Sequence, residues 1–242
     1  MHDVWGIGRK YGIKLNLLGI FTAMDLANTD DALIRKVTNV LGLKTAYELR
    51  GVSSIDLAEV EEPKKSITVS RSFGKDIYHY EELKQAVAYF TSRAAEKLRK
   101  SGQIANSISI FIRTNPFTGN SKQYANAVSI TLPLPTDATN EMLIAAEKAL
   151  TSIYRSGYAY KKAGVLLCNF QPKTTKALNL FDKPKAREKA NKLMKALDQI
   201  NNSYGSRTLF YASSGITQKW APQSNMKSGA YTSNWNDIIK VY

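Results

Sequence analysis

The stretch NSISIFIRT, residues 106–114, alternates between small polar and apolar side chains. A period of two is typical of a β-strand with one face buried and the other open. The stretches SITVSRSF (66–73) and YANAVSITLPLP (124–135) repeat this alternation, and the more apolar YKKAGVLLCNF (160–170) predicts a further strand. Four strands are therefore expected, with 106–114 and 124–135 forming a pair.

Two amphipathic helices are predicted between these strands, over residues 80–102 and 140–157. The resulting order, β-α-β-β-α-β, predicts a four-stranded antiparallel sheet with both helices on one face, a ferredoxin-like topology. We assign this sheet domain to residues 63–172. Its last strand contains the single cysteine, Cys168, which we interpret as a small buried hydrophobe.

The two faces of the predicted sheet differ in chemistry. One parity is apolar and should lie under the helices: Ile67, Val69, Ile108, Ile110, Ile112, Val128, Ile130 and Leu132. The other parity is small and mostly hydroxyl-bearing: Ser66, Thr68, Ser70, Ser72, Ser107, Ser109, Ala127, Ser129 and Thr131. Such a face lets another surface approach the backbone, and hydroxyl groups donate to phosphate oxygens. We interpret it as a binding face; an ordinary solvated face is the alternative.

Basic side chains at the ends and edges of the predicted strands would surround this face with positive charge. They are Lys64, Lys65, Arg71, Arg113, Lys161 and Lys162. The whole chain carries a formal charge of +14 and has a sequence pI of about 9.7. A field of this sign is typical of a protein with a polyanionic partner such as nucleic acid.

The first 62 residues differ from the rest in charge. Seven basic and nine acidic residues give this segment a net charge of −2, whereas the remainder carries +16. We assign residues 1–62 to a separate helical domain, with helices predicted over 9–18, 22–27, 31–40 and 45–50. An acidic, proline-containing linker would connect it to the sheet domain.

The sequence Gly6-Ile7-Gly8 is typical of a helix-hairpin-helix motif. Two glycines permit a tight turn that leaves N–H groups exposed at the start of the second helix, where a phosphate can dock. The basic residues Arg9 and Lys10 follow directly. We expect these five residues to contact the DNA backbone without reading base sequence. Because only five residues precede Gly6, too few for the first helix of the motif, we expect that the chain is truncated there.

The part after residue 172 is predicted to contain a linker over 173–183 and a small α/β module over 184–242. A helix from Pro184 and a strand over 208–213 would form that module. Apolar residues within a linker are typical of a short docking motif. They are Leu178, Leu180 and Phe181. Packing on the sheet domain or capping of the next helix is the alternative.

The sequence offers little support for catalysis within this chain. The two histidines, His2 and His79, are far apart, so neither a zinc site nor a Ser-His-Asp triad is indicated. Paired acidic residues occur only at predicted helix starts or in the linker, whereas a two-metal site needs clustered carboxylates. We expect no catalytic residue, no metal ligand and no cofactor in this chain. No stretch is apolar for the roughly 18 residues of a membrane span, and we expect a cytoplasmic protein.

Together these features resemble the DNA-binding half of a UmuC-type Y-family translesion DNA polymerase. DVWGIGRKYG (3–12) is similar to the thumb of that family and SITVSRSFG (66–74) to its little finger. ALNLFD (177–182) is similar to the sliding-clamp-binding motif Q-L-x-L-F, with Ala177 in the position of glutamine, which implies weaker clamp binding. The tail resembles the C-terminal module of the same family.

The resemblance implies error-prone synthesis across DNA lesions in the SOS response, in a protein whose catalytic palm would hold Mg²⁺ outside this chain. The implied partners are primer–template DNA, the sliding clamp, processed UmuD and RecA. A freestanding, non-enzymatic DNA-binding protein is an alternative. An RNA-binding ferredoxin-like protein is a further one, but it would usually present aromatic residues on its open sheet face. Only Phe111 and Tyr160 are candidates for that role.

Overall fold

The structure is a computed structural model of the chain. It describes residues 1–54, 63–119, 122–173, 184–222 and 226–239, the backbone alone being described over 184–187. The chain divides into two compact units, Met1–Glu62 and Pro63–Tyr242. The division coincides with the boundary between the helical and sheet domains that charge and periodicity predict.

The first unit contains four short helices within residues 1–54, as predicted: α1 (Arg9–Leu17), α2 (Ala23–Asn28), α3 (Asp31–Val37) and α4 (Val40–Leu49). Helix α4 begins earlier than the predicted 45–50, because the Asn39 side chain accepts a hydrogen bond from the Gly42 amide at 3.0 Å and caps a new helix there. The core of the unit is apolar and buried: Ile7, Leu15, Ile20, Leu26, Ile34 and Ala46.

The second unit contains the predicted β-α-β-β-α-β order. Its elements are β1 (Ser66–Ile77), α5 (Tyr80–Lys100), β2 (Gln103–Thr114), β3 (Ala125–Thr136), α6 (Thr139–Ile153) and β4 (Tyr160–Pro172). The strands form one antiparallel four-stranded sheet, which confirms the mixed α and β fold. Helices α5 and α6 contact one face of it.

The order of the strands corrects the predicted ferredoxin-like topology. It is β1-β4-β2-β3, so β4 lies between the parallel strands β1 and β2, where the ferredoxin-like fold places β3. Proline has no amide to donate to a ladder and is therefore confined to edge strands or irregular positions. Strand β3 contains Pro133 and Pro135, and both lie in a register irregularity between Thr131 and Thr136. This composition keeps β3 at the edge, while the more apolar β4 takes a central position.

The sheet faces follow the predicted parity. Ile108, Ile110 and Val165 are completely buried beneath the helices, and Ile67 and Leu132 are nearly so. The residues predicted for the opposite parity are all exposed or half-buried, and no described helix packs across that side of the sheet. We call this second side the open face.

The chain after β4 packs as part of the sheet unit. Helix α7 (Pro184–Tyr204) is followed by one short 3-10 turn at Ala212–Ser214 and another at Trp235–Asp237. The predicted strand over 208–213 is wrong. The amide and carbonyl of Leu209 are paired with the Asn201 side chain at 2.9 Å each, and Arg207 has a φ of 73°, so the backbone is not available for a ladder. Residues 184–222 and 226–239 contain no strand, which corrects the predicted α/β module.

Several contacts hold this C-terminal segment on the sheet unit, among them an aromatic cluster and an ion pair. The buried Trp220 indole packs against Phe73, Tyr89 and Phe90, with ring centroids 5.2–6.2 Å apart. The Arg99 guanidinium donates to both carboxylate oxygens of Asp198 on α7, at 2.6 and 2.8 Å. Residues beyond the predicted sheet domain therefore complete its hydrophobic core.

Candidate nucleic-acid interface

Strand register arranges the open face in four rows of side chains, each read here from β1 through β4 and β2 to β3. The first row is Ser66, Cys168, Ser107 and Thr131, and the second is Thr68, Leu166, Ser109 and Ser129. The third is Ser70, Gly164, Phe111 and Ala127, and the fourth is Ser72, Lys162, Arg113 and Ala125. Hydroxyl groups dominate the first two rows, and positive charge lies in the fourth.

The third row of the open face projects little from the sheet, because it is built from small residues around one flat ring. A Cβ added at Gly164 would lie 2.3 Å from Phe111 Cζ and 2.5 Å from Ser70 Cβ, so the phenyl ring rests directly on the glycine. Phe111 is half-buried in this position. Tyr160, the other aromatic residue considered for this face, is completely buried in the core, so that expectation is wrong. The face offers one ring rather than a stacking platform.

Arg113 and Lys162 are neighbours in the fourth row, Arg113 exposed and Lys162 half-buried. Lys64 and Lys65 are exposed just before β1. Arg71 is exposed on the edge strand but pairs with Ala163, so it has the parity of the helix side. Lys161 Nζ lies 3.5 Å from Asp76 Oδ1, which neutralises part of its charge. The structure thus brings two of the six predicted cations together on the face itself.

Cys168 lies in the first row of the open face and is half-exposed, which corrects its interpretation as a buried residue. The sequence does not reveal this placement, because the central strand β4 carries apolar residues on the open face as well as on the helix side. Leu166, in the second row, is half-buried for the same reason. Both residues give the otherwise hydroxyl-rich face a small apolar centre.

In the first unit, the Gly6-Ile7-Gly8 turn leads directly into α1. Gly6 has a φ of 87°, and a Cβ there would lie 2.9 Å from Thr45 Oγ1, so both backbone conformation and space favour glycine. The Ile7 side chain is buried and its amide donates to the Val4 carbonyl at 3.1 Å. Ile7 therefore anchors the turn from within the unit, and the solvent-facing groups belong to the residues after it.

The start of α1 has several unpaired amides. Its N-cap is Gly8, which has no side chain to accept a hydrogen bond, and the first turn has no acidic residue. The first amide bonded within the helix is that of Gly12, which donates to the Gly8 carbonyl at 2.9 Å. The amides before it, from Gly8 through Arg9 and Lys10, have no partner in the helix. Exposed Arg9 and Lys10 side chains flank them.

The other three helices of the unit are capped by side chains, at Thr22, Asp30 and Asn39. Among the described helices of this unit, the N-terminus of α1 is therefore the one at which an anion can reach unpaired backbone amides. By contrast, Arg50 is committed to structure: it donates to Asp31 Oδ1 at 2.6 Å and to two backbone carbonyls. Hydrogen bonds from the Tyr47 hydroxyl and then from Arg50 hold the pKa of Asp31 below its ordinary value.

Among the described residues, no three histidine, cysteine, aspartate or glutamate side chains lie close enough together to hold a metal ion. None of the described helices has the length and apolar character that crossing a membrane requires. The residues of the clamp-like motif, Leu178, Leu180 and Phe181, lie outside the described residues, and their role stays a prediction.

Comparison with known proteins places two family models on this chain. Residues 64–180 match the impB/mucB/samB family C-terminal domain, and residues 191–241 match a domain of unknown function, DUF4113. The first match contains the whole sheet. The second contains Asp198 and Trp220, two of the residues that hold the C-terminal segment on the sheet unit.

Whole-chain relatives agree with these matches. The chain is 42% identical over 241 residues to protein UmuC of Salmonella typhimurium, and the aligned region covers 100% of this chain and 57% of UmuC. It is 41% identical to protein SamB of Salmonella typhimurium, with 98% of this chain and 56% of SamB covered. It is 27% identical to DNA polymerase IV of Desulfatibacillum aliphaticivorans, with 85% and 50% covered. The chain thus spans about half the length of these relatives.

Proposed function

This chain belongs, through residues 64–180, to the impB/mucB/samB family, and from that premise we propose that it is the DNA-binding portion of an error-prone translesion DNA polymerase. In this proposal the first unit is the helix-hairpin-helix thumb and the sheet unit is the little finger. The observation that carries the proposal is the open face: hydroxyl groups dominate its first two rows, and its fourth row contains Arg113 and Lys162. A face of this composition suits the DNA backbone.

The dimensions of the open face support such a contact. Four adjacent strands span about 14 Å from β1 to β3, because neighbouring strands are about 4.8 Å apart. The major groove of B-DNA is about 12 Å wide. The two edges of the sheet would then lie beside the phosphates on either side of the groove, with hydroxyl groups and amides as donors.

Binding through phosphates explains how a polymerase can hold damaged DNA. Backbone contacts fix the position of a protein on the duplex but carry no sequence information directly. Among the described residues, the open face has one aromatic ring, half-buried on Gly164, and its rows are built mostly from short side chains. A template with an altered base would therefore be held nearly as well as an intact one. The unpaired amides at the start of α1 would hold a further phosphate in the same manner.

The same proposal assigns the remaining roles by family likeness. Nucleotide addition would use Mg²⁺ bound by a palm domain, and the residues described here would hold the DNA. The motif Leu178, Leu180 and Phe181 would bind the sliding clamp, weakly because Ala177 replaces glutamine. Processed UmuD and RecA are proposed partners in a cytoplasmic SOS response.

The salt dependence of DNA binding tests the phosphate contacts. The logarithm of the association constant should fall linearly with the logarithm of salt concentration, by about 0.9 per phosphate contact. Replacing Arg113→Gln together with Lys162→Gln should reduce that slope by about 1.8. Fluorescence anisotropy with a labelled primer–template at several salt concentrations measures it.

The matched control is Lys97→Gln together with Lys148→Gln, two exposed lysines on the helix layer. It changes the net charge by the same amount but should leave the slope unaltered. An affinity that does not depend on salt, or equal losses in the two double variants, would contradict phosphate binding by the open face.

A pull-down tests the clamp assignment separately. The double substitution Leu180→Ala and Phe181→Ala should abolish capture of the sliding clamp by the full chain. The primer–template affinity of the same variant should stay at the level of the parent, since the motif is outside the proposed DNA contacts. Clamp capture equal to that of the parent would refute this role.

A further inference from the structure

The loop between α6 and β4 is held by a buried tyrosine. Tyr160, completely buried at the start of β4, accepts a hydrogen bond from the Arg155 amide at 3.0 Å and donates one to the Arg155 carbonyl at 2.8 Å. Both backbone polar groups of Arg155 are thus bound by one side chain. Burial raises the pKa of Tyr160, so the hydroxyl keeps the proton that it donates.

Two more tyrosines fix the chain immediately before and beside Arg155. Tyr124 donates to the Ile153 carbonyl at 2.6 Å, and Tyr154 donates to the Tyr78 carbonyl at 2.9 Å. The Tyr160 ring lies 6.2 Å from that of Tyr124 and 5.8 Å from that of Tyr154, centroid to centroid. These contacts hold the backbone of Arg155 in one conformation, although the residue lies in a surface loop.

The Arg155 side chain is exposed, and its guanidinium group lies over the Tyr124 ring at 5.3 Å from the centroid. Stacking on an aromatic face leaves the N–H groups at the edge of the guanidinium free to donate. Within the described part of the chain, no carboxylate lies within ion-pair distance of Arg155. By comparison, Arg50 and Arg99 are paired with carboxylates at 2.6 Å. Arg155 is therefore positioned by its neighbours but not neutralised by them.

Arg155 lies at the same end of the sheet as the positive charges of the open face. Tyr160 pairs with Thr114 at the end of β2, one residue beyond Arg113. Tyr124, on which Arg155 stacks, directly precedes β3 and hence the fourth row of the open face. The loop thus brings a further cation to the end of the sheet that carries Arg113 and Lys162, although Tyr124 itself packs against the core on the helix side.

We propose that Arg155 is an additional DNA-phosphate contact and that Tyr160 and Tyr124 are its positioning residues. The proposal rests on the proposed function, because it assigns Arg155 to the same DNA. A planar guanidinium held in place before binding loses less conformational freedom when a phosphate arrives than a mobile lysine does. Sequence spacing does not reveal the residue, since Arg155 stands alone between a helix and a strand.

The test compares single variants in the primer–template binding assay. Arg155→Gln should reduce the salt slope by about 0.9, so a fourfold rise in salt would weaken the variant about 3.5-fold less than the parent. Arg155→Lys keeps the charge and should keep the slope. Lys148→Gln, a neutralised cation on the helix layer, is the matched control and should leave the slope unaltered.

Tyr160→Phe tests positioning, since it removes the hydroxyl and leaves the ring. It should lower DNA affinity in the parent and cause no further loss in the Arg155→Gln background, because its effect acts through Arg155. Equal losses in both backgrounds would show a merely structural role and overturn the positioning assignment. Melting temperatures of all variants identify any that fail to fold.

The outcomes separate this inference from the proposed function. A slope that falls for Arg113→Gln with Lys162→Gln but not for Arg155→Gln would refute the Arg155 contact and leave the open-face interface standing. Salt-independent binding in every variant, or no DNA binding by the parent, would refute both. Reduced slopes for Arg155→Gln and for the open-face variant, with the lysine control unchanged, are the expected result.

Discussion

Replacing Trp220 by alanine should destabilise the sheet unit strongly, although the residue lies 48 positions beyond the end of β4. The Trp220 side chain is 4% exposed and its ring lies against Phe73, Tyr89 and Phe90. Its indole nitrogen has no hydrogen-bond partner among the described residues, so the loss on truncation is one of packing. The substitution leaves a cavity between β1 and α5, lined by the aromatic rings that Trp220 contacts.

The magnitude follows from the buried area. A tryptophan buries about 150–250 Å², which at about 25 cal/mol per Å² is roughly 4–6 kcal/mol. Extended-chain areas overestimate burial, and measured aromatic-to-alanine changes in cores are about 3–5 kcal/mol. We therefore expect Trp220→Ala to lower the free energy of unfolding of the sheet unit by about 3–5 kcal/mol.

Urea unfolding of the full chain, followed by far-UV circular dichroism, measures this change. With an m-value of about 2 kcal/mol/M, the midpoint of the sheet unit should fall by about 1.5–2.5 M. Trp235→Ala is the matched control, because Trp235 belongs to the same C-terminal segment and is 89% exposed. That control should change stability by less than about 0.5 kcal/mol. A loss below about 1 kcal/mol for Trp220→Ala would refute the conclusion that the C-terminal segment completes the core.

Three further predictions concern single contacts. Asp198→Ala leaves its arginine partner, 8% exposed, without a carboxylate and should cost about 2–4 kcal/mol in urea unfolding; a cost below about 1 kcal/mol would contradict the role of this pair. Gly164→Ala should displace the Phe111 ring and destabilise the sheet unit, and the added substitution Phe111→Ala should relieve part of that loss; additive losses in a thermal melt would argue against the close contact. Because the pKa of Asp31 is lowered in the folded state, its carboxylate stabilises the first unit above pH 3.8, and this stability is lost as pH falls through the folded-state pKa. Asp31→Asn should therefore flatten the acid side of the stability profile of the first unit. An unchanged profile would contradict this assignment.

Alternation along the strands is enough to predict the two faces of the sheet. Because strand side chains alternate with a period of two, burial of Ile108 and Ile110 forces Ser107 and Ser109 to the other side. The chemistry of the open face is therefore present in the sequence. The order of elements alone favours the ferredoxin-like arrangement of the strands. Pro133 and Pro135 are the sequence signal against it, because they indicate that β3 is an edge strand.

Contacts between distant segments are less accessible to sequence reasoning. Nothing in the residues around Trp220 specifies that it packs on β1 and α5, because an exposed and a buried tryptophan have the same local sequence signature. Arg155 is a similar case, since its placement depends on hydrogen bonds to Tyr160 that only the folded chain brings together. The α1 terminus is intermediate: glycine at the cap is visible in the sequence, whereas the buried position of Ile7 is not.

Protection of the single cysteine tests the open face as the DNA interface most directly. Cys168 is half-exposed in the first row of that face, so a thiol reagent should modify it in the free protein. Saturating primer–template DNA should slow this modification about tenfold or more. A cysteine at position 97, on the helix layer, introduced as Lys97→Cys with Cys168→Ser, should react at the same rate with and without DNA. Unchanged reactivity of Cys168 at saturation, with binding verified in the same sample, would contradict the account.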